Sequence, residues 1–123
     1  MKNLVKISGN QKSKSFYLKK SDIFVLSSLY EGFPNVLLEA ALNKKYIISS
    51  NCPTGPRELI KSYKYGALYK KNSYNHLSKV FQKIADDRKI LFKNKKMINL
   101  NSIIFDHKYN LEKYKKELIN IIN

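Results

Sequence analysis

Two glutamates that flank a tight turn are the residues of this chain best suited to chemistry. Glu31 and Glu39 lie eight positions apart in the segment YEGFPNVLLEA. The residues that follow the first glutamate are Gly32, Phe33 and Pro34. A glycine lets a ligand come close to the backbone, and a proline fits the first helical turn, where its missing N–H would have no partner. The segment therefore predicts a loop and the start of a helix, with a carboxylate on each side.

The start of that helix is suited to an anion, and Glu39 is suited to a sugar. Free N–H groups of Asn35, Val36 and Leu37 would point outward at the positive end of the helix dipole, which favours a phosphate. Glu39 lies one turn beyond Asn35 on the same face, and its two oxygens can accept hydrogen bonds from the two hydroxyls of a ribose. Glu31 could accept one from a sugar hydroxyl. Together these features favour a nucleotide-sugar, which carries a diphosphate, a ribose and a hexose.

The spacing alone leaves a simpler interpretation open. Glu31 could be an exposed loop acid, and Glu39 a solvated helix position, because two acids eight positions apart form a loose pattern. Arg57, the one basic residue close to the predicted loop, either touches a phosphate or lies on the surface of its own helix. His76 and His107 are too isolated to predict a metal site, and we expect both on the surface.

Alternating apolar and polar segments predict the elements that must position these residues. Strands are predicted at residues 4–7, 22–28, Tyr46–Ser50 and Gly66–Tyr69. Helices are predicted at residues 34–43 and 56–62, after the N-cap Ser73, at about residues 86–100, and from about Tyr109 onward. Strands that alternate with helices indicate an α/β domain with a parallel, partly Rossmann-like sheet and a helical C-terminal tail at residues 73–123. Residues 31–35 would then lie at the carboxyl end of a strand, where such sheets bind ligands.

The segment YEGFPNVLLEA resembles the E-x7-E signature of the family 4 retaining glycosyltransferases, which have the GT-B fold. Two further blocks, at residues 16–28 and 51–60, are similar to the parts of that family on either side of the signature. The agreement is dense from about residue 9 to residue 68 and looser in the tail. Because three blocks occur in the right order, the chain is identified as a member, matching only its C-terminal, donor-binding part.

The resemblance implies a role for each residue of the signature. Glu39 would bind the ribose hydroxyls of the donor, and Glu31 would be the catalytic residue that contacts the donor sugar. The backbone of the segment between them would contact the sugar and the diphosphate, at Gly32, Phe33, Pro34, Asn35, Val36 and Leu37. The family retains anomeric configuration and transfers without a metal or other cofactor. The reaction implied is transfer of a hexose or N-acetylhexosamine from a nucleotide-diphosphate sugar, with a UDP-sugar as the expected donor, to a glycan or a lipid-linked acceptor.

The resemblance also implies parts that these 123 residues do not contain. We expect residues 1–123 to form a partial nucleotide-sugar-binding domain without its first strands and without the N-terminal acceptor domain. The strand at 4–7 would then lose its neighbours, and the strand at 22–28 would become an open edge. The isolated chain is therefore expected to be inactive and poorly stable, and either to self-associate or to need a complementing N-terminal half. A catalytically inactive remnant is the first alternative.

The composition defines a second alternative, a basic module that binds a surface or a nucleic acid. The net charge is +15, and 22 of the 24 basic residues are lysines, which are less suited than arginine to forked contacts with bases. The lysine pairs are scattered and form no single stripe, so we expect no nucleic-acid partner. Peripheral contact with an anionic membrane at its cytoplasmic face is more consistent with such a charge.

The single cysteine and the short apolar runs bear on location. Cys52 cannot form an internal disulfide, which indicates a reducing cytoplasm. We expect it to be a small buried residue near the donor site. The apolar run at residues 4–7 is too short for a signal peptide, and no run of 18 apolar residues occurs.

Overall fold

Strands and helices alternate along the middle of the chain, as the sequence predicts. The computed structural model describes residues 5–9, 14–32, 35–53 and 55–93. The strands are β1 (Ile23–Leu26), β2 (Tyr46–Ser50) and β3 (Gly66–Tyr69). The helices are α1 (Lys14–Lys20), α2 (Asn35–Leu42), α3 (Pro56–Tyr63), α4 (Tyr74–Asp86) and α5 (Ile90–Lys93).

The three strands form one parallel sheet in the order β1-β2-β3. Ile23 pairs with Tyr46 at the start of β1, and Ile47 pairs with Gly66 at the start of β3. Every residue of the central strand β2 is buried, as expected for a parallel strand covered on both faces. The predicted α/β class with a partial Rossmann-like parallel sheet is confirmed.

The core lies between β2 and the helices α2 and α3. Helix α2 buries Leu37, Ala40 and Ala41, which recur at the spacing of one helical face. Ile47 and Ile48 of β2 are fully buried in the same cluster. Burying one such side chain stabilises the fold by about 1.5–3 kcal/mol relative to leaving it exposed. Packing of α2 against the sheet therefore fixes the helix whose first turn follows the glutamate-bearing loop.

A buried lysine ties α1 to the amino end of β2. Lys45 is buried, and its Nζ donates hydrogen bonds to the carbonyl oxygens of Ser21 at 2.7 Å and Lys19 at 3.3 Å. An ammonium buried in this way needs such partners, and carbonyls at a helix C-terminus are favourable ones. The hydroxyl of Tyr63 donates to the carbonyl of Lys45 at 2.9 Å, and burial raises the pKa of that hydroxyl. This end of the sheet is occupied by structural contacts.

Within the described residues, the structure differs from two sequence predictions of secondary structure. The predicted strand at 4–7 is not formed: Val5 and Ile7 belong to no element and are 79% and 94% exposed, and Leu4 lies outside the described residues. These residues are β formers, but a strand also needs a partner, and none of the described strands pairs with them.

The predicted helix at 86–100 does not begin at Asp86, which is the last residue of α4. The side chain of Asp87 accepts a hydrogen bond from the backbone N–H of Lys89 at 3.2 Å, a local turn that competes with helix continuation. The next helix, α5, starts at Ile90. Residues 94–123, which include the rest of the predicted tail and the helix from about Tyr109, lie outside the described residues.

Candidate functional site

Three loops leave the carboxyl ends of the three strands and meet at one edge of the sheet. The first loop follows β1 and carries Glu31, and α2 begins after it at Asn35. The second connects β2 to α3, and the third connects β3 to α4. Open parallel sheets bind ligands at this edge. The structure thus puts Glu31 and the start of α2 where the sequence predicts a donor site, while Phe33 and Pro34 lie outside the described residues.

Helix α2 separates its residues into a packed face and an exposed face. Asn35 and Glu39 are both exposed and lie one turn apart, whereas Leu37 is fully buried. The side chain of Leu37 belongs to the core, so a ligand could be bound at this position only through the backbone N–H. Val36 is half-buried. The side chain of Asn43 donates to the backbone carbonyl of Glu39 at 2.8 Å, which leaves the carboxylate of Glu39 outside that contact.

Gly32 is not required by the conformation of its own backbone or by packing. Its φ angle lies outside the left-handed region, and a Cβ built on it would meet nothing within 4 Å. Gly66 differs, because a Cβ there would lie 2.4 Å from the carbonyl oxygen of Ile47 in the neighbouring strand. Gly66 is therefore explained by strand packing, whereas Gly32 leaves open space beside Glu31.

Side chains from the end of β2 hold the base of the first loop. The carbonyl oxygen of Ser28 accepts a hydrogen bond from Sγ of Cys52 at 2.9 Å and another from Oγ of Ser50. Ser50 Oγ and Cys52 Sγ lie 3.1 Å apart, and both residues are buried. The expectation that Cys52 is a small buried residue is confirmed, and its nearness to a donor site stays a prediction. Burial, and secondly the neighbouring Cys52, raise the pKa of the Tyr69 hydroxyl at the end of β3.

A lysine from the third loop contacts the tip of the first. Nζ of Lys71 lies 3.6 Å from the ring centroid of Tyr30, within the range of a cation–π interaction. Lys71 is not distinguished by sequence pattern, because Lys70 and Lys71 resemble the other lysine pairs. Its position two residues after β3, at the same sheet edge as Glu31, is the signal that could have found it.

The turn that carries Lys71 is closed by its own hydrogen bonds. The backbone N–H of Ser73 donates to the carbonyl of Lys70 at 3.0 Å. His76 accepts a hydrogen bond from the backbone N–H of Lys70 at Nδ1, at 2.9 Å. The predicted N-cap at Ser73 is confirmed, since Ser73 Oγ accepts from the backbone N–H of His76 at 3.2 Å. His76 is exposed, as predicted, and serves this turn.

Arg57 lies in the first turn of α3, next to the second loop. Its Nε donates to Oδ1 of Asn51 at 3.1 Å, so the guanidinium is connected to the residue that directly follows β2. The backbone N–H of Gly55 donates to Glu58 Oε2 at 3.0 Å, which explains that acid as a helix-start contact. Arg57 is exposed beside the candidate site, and its contact with a phosphate stays a prediction.

The described part of the chain contains neither a cluster of metal ligands nor a helix that could span a membrane. No group of three or more His, Cys, Asp or Glu residues among residues 5–9, 14–32, 35–53 and 55–93 could hold a metal ion. Within the same ranges, none of the helices is both long and apolar enough to cross a membrane.

The parallel sheet and its helices are those of a partial Rossmann-like domain, and the family follows from comparison with known proteins. The family model described as "Glycosyl transferases group 1" matches residues 1–118. The match covers nearly the whole chain. The chain therefore belongs to the glycosyl transferases group 1 family.

Individual relatives carry glycosyltransferase names. An uncharacterized glycosyltransferase of Methanocaldococcus jannaschii is 45% identical over 60 residues, which is 49% of this chain and 15% of the relative. The lipopolysaccharide 1,6-galactosyltransferase of Salmonella typhimurium is 44% identical over 52 residues, 42% of this chain and 14% of the relative.

A third relative matches over a longer segment. The N-acetylgalactosamine-N,N'-diacetylbacillosaminyl-diphospho-undecaprenol 4-alpha-N-acetylgalactosaminyltransferase of Campylobacter jejuni is 28% identical over 81 residues, 64% of this chain and 22% of the relative. The matched segments thus span less than a quarter of each of these three relatives.

Proposed function

We propose that this chain is the donor-binding part of a retaining glycosyltransferase that uses a UDP-sugar. The observation that carries the proposal is the arrangement around the start of α2. Glu31 precedes that helix at the carboxyl end of β1, and Glu39 is exposed one turn beyond Asn35. Two carboxylates on either side of a helix start suit a ligand with hydroxyls at both ends and an anion between them.

The diphosphate would lie at the first turn of α2. Helix N-termini favour anions because their first N–H groups have no intrahelical partner and the dipole is positive there. The N–H groups of Asn35, Val36 and Leu37 would donate to phosphate oxygens and stabilise the charge that develops on the leaving diphosphate. The open space beside Gly32 supports this assignment, because neither packing nor φ requires a glycine at that position.

The two glutamates would bind the two sugars of the donor. Glu39 would accept hydrogen bonds from the ribose hydroxyls. A hydrogen bond to a charged acceptor is about twice as strong as one to a neutral acceptor. Glu31, half-buried in the first loop, would contact the hexose or N-acetylhexosamine that is transferred. The positive end of the helix dipole and its N–H groups would hold the diphosphate in this proposal, without a metal.

A glycan or lipid-linked acceptor is proposed from the relatives and from the charge. The printed name of the Campylobacter jejuni enzyme includes diphospho-undecaprenol, and that of the Salmonella typhimurium enzyme includes lipopolysaccharide. The net charge of +15 would attract this chain to an anionic membrane surface, where such acceptors are held. We therefore propose that the reaction belongs to surface-polysaccharide assembly at the cytoplasmic face of a membrane.

The proposal is tested by titrating the ¹⁵N-labelled chain with UDP-N-acetylglucosamine, UDP-glucose and a duplex DNA while amide shifts are followed. We expect shifts confined to the residues from Gly32 to Glu39 with at least one UDP-sugar. Glu39→Gln should weaken that response, and Asp86→Asn, at the exposed end of α4, should leave it unchanged. A salt-sensitive response to DNA alone would instead support the basic binding module.

A further inference from the structure

The contact between Lys71 and Tyr30 joins two loops that are distant in sequence. Nζ of Lys71 lies 3.6 Å from the centroid of the Tyr30 ring. Tyr30 is 76% exposed, so the hydrophobic core does not hold its ring in place. An ammonium on the ring face is attracted by the ring quadrupole. The ring position therefore depends on a side chain from the loop after β3.

Lys71 is displayed from a turn of defined shape. Ser73 donates its backbone N–H to the carbonyl of Lys70 at 3.0 Å, which closes a four-residue turn. Asn72 has a φ angle of 58°, a left-handed conformation that asparagine tolerates better than most residues. The N-cap at Ser73 and the acceptor at His76 Nδ1 fix the same turn to α4. Lys71 thus reaches toward Tyr30 from a fixed support.

The first loop is held at its base as well. The carbonyl of Ser28 is bound by Cys52 and Ser50 from the end of β2. Tyr30 follows two residues later, and Glu31 is its direct neighbour. The backbone before Glu31 is therefore held by two contacts. One is the contact of the Ser28 carbonyl with buried side chains, and the other lies at the surface. The surface contact is the one between Lys71 and Tyr30.

We propose that Lys71 is a positioning residue of the donor site, which holds Glu31 in place by binding the ring of Tyr30. This inference rests on the proposed function, in which Glu31 contacts the donor sugar. The ammonium acts through the aromatic ring and not as a direct ligand of the diphosphate, because in the structure it faces the ring. Direct contact with a phosphate is the alternative outcome of the test.

The test uses the whole chain and four variants at the two positions. Tyr30→Phe keeps the ring and Lys71→Arg keeps the cation, whereas Tyr30→Leu and Lys71→Met remove one partner each. Lys70→Met is the matched control, because Lys70 is an exposed neighbour whose removal changes the charge equally. Two quantities are measured: the order of the amides from Leu29 to Gly32 by ¹⁵N relaxation, and the Kd for a UDP-sugar.

We expect Tyr30→Leu and Lys71→Met to disorder the loop and to raise the Kd roughly two- to fivefold, the range of an exposed cation–π contact. The double variant Tyr30→Leu, Lys71→Met should have a Kd no higher than that of the single variant with the higher Kd, because both changes remove the same contact. Tyr30→Phe, Lys71→Arg and Lys70→Met should behave like the unchanged chain. Rescue by Phe and Arg is the signature that general destabilisation would not produce.

Two results would overturn the positioning role. One is that Lys71→Met weakens UDP-sugar binding while Tyr30→Leu does not, which would make Lys71 a direct phosphate ligand. The other is that neither variant changes the order of the loop. If the unchanged chain binds no UDP-sugar, the proposed function fails, and the relaxation data still decide whether Lys71 holds the loop.

Discussion

The sulfur of Cys52 lies 2.9 Å from the carbonyl oxygen of Ser28, to which it donates a hydrogen bond. The two residues stand at the ends of neighbouring parallel strands, one buried after β2 and the other at the beginning of the loop that leads to Glu31. The contact converts the end of a buried strand into a support for an exposed loop. Loops that carry function depend on such rigid supports.

Replacing Cys52 should therefore weaken both the fold and the site. Cys52→Ala removes one of the two donors to the Ser28 carbonyl and a fully buried sulfur. We expect the free energy of unfolding to fall by about 1–2 kcal/mol, as measured by urea titration. Cys52→Ser keeps a donor of similar size and should recover most of the loss. Equal stability of Cys52→Ala and the unchanged chain would contradict this support role.

Gly32 and Gly66 should respond in opposite ways to the same substitution. Gly66→Ala would bring its Cβ within 2.4 Å of a backbone oxygen of Ile47, so we expect a loss of about 1–3 kcal/mol in unfolding free energy. Gly32→Ala meets no atom within 4 Å and should change unfolding free energy by no more than about 0.5 kcal/mol.

Although its stability is nearly unchanged, Gly32→Ala should raise the Kd for a UDP-sugar roughly tenfold, because the added methyl group occupies space proposed for the ligand. A tenfold change corresponds to about 1.4 kcal/mol. Calorimetry on the folded variant measures this. A Gly32→Ala variant that binds the donor as tightly as the unchanged chain would show that this space is not used.

Alkaline pH should destabilise the chain through Tyr63. Burial, and secondly Tyr65, raise the pKa of the Tyr63 hydroxyl above its ordinary value of 10.0. A group whose pKa is higher in the folded state contributes stability that is complete below the unfolded value and is lost as pH rises above it. Urea titrations should thus show falling stability above about pH 10.

The matched pair for this prediction is Tyr63→Phe and Tyr74→Phe. Tyr63→Phe loses the hydrogen bond to the Lys45 carbonyl, so it should be less stable at neutral pH and show a shallower alkaline decline. Tyr74 is 80% exposed, and Tyr74→Phe should keep the alkaline decline of the unchanged chain. An identical decline in both variants would exclude Tyr63 as its cause.

Strand β1 should mediate self-association of this 123-residue chain. Among the described residues β1 has a neighbouring strand on one side only, and Val25 is 38% exposed on it. Exposed strand edges pair with other chains unless charge or proline protects them. Sedimentation velocity should show dimers or larger species at tens of micromolar, with a larger monomer fraction in Val25→Lys. Sedimentation as a monomer alone at that concentration would contradict this.

The sequence predicts the elements bounded by local signals. Strands β2 and β3 have the predicted limits, and α3 is one residue longer than predicted. The starts of α3 and β3 were predictable because Pro56 favours a helix start and Gly66 marks the beginning of the next strand. The segment at 4–7 fails for the opposite reason, since strand formation there depends on a partner that local sequence does not reveal. Proximity between Glu31 and the helix start follows from adjacency in the chain.

The spacing of residues in the sequence does not predict which loops contact each other. Tyr30 and Lys71 are separated in the chain by α2, β2, α3 and β3. Ser28 and Cys52 are separated by α2 and β2. Their contacts arise because parallel strands bring their carboxyl ends to one edge. The burial of Cys52 was predictable from its type, whereas its bond to the Ser28 carbonyl was not.

The proposed binding of the donor ribose by Glu39 is tested most directly by comparing the affinities of the chain for UDP and 2′-deoxy-UDP. Glu39 is proposed to bind the ribose hydroxyls, so the unchanged chain should prefer UDP roughly tenfold or more by calorimetry, the value of a hydrogen bond to a charged group. Glu39→Gln should reduce that preference to about twofold, and Asp86→Asn should retain it in full. An equal preference in the unchanged chain and in Glu39→Gln, or no binding of UDP at all, would contradict the account.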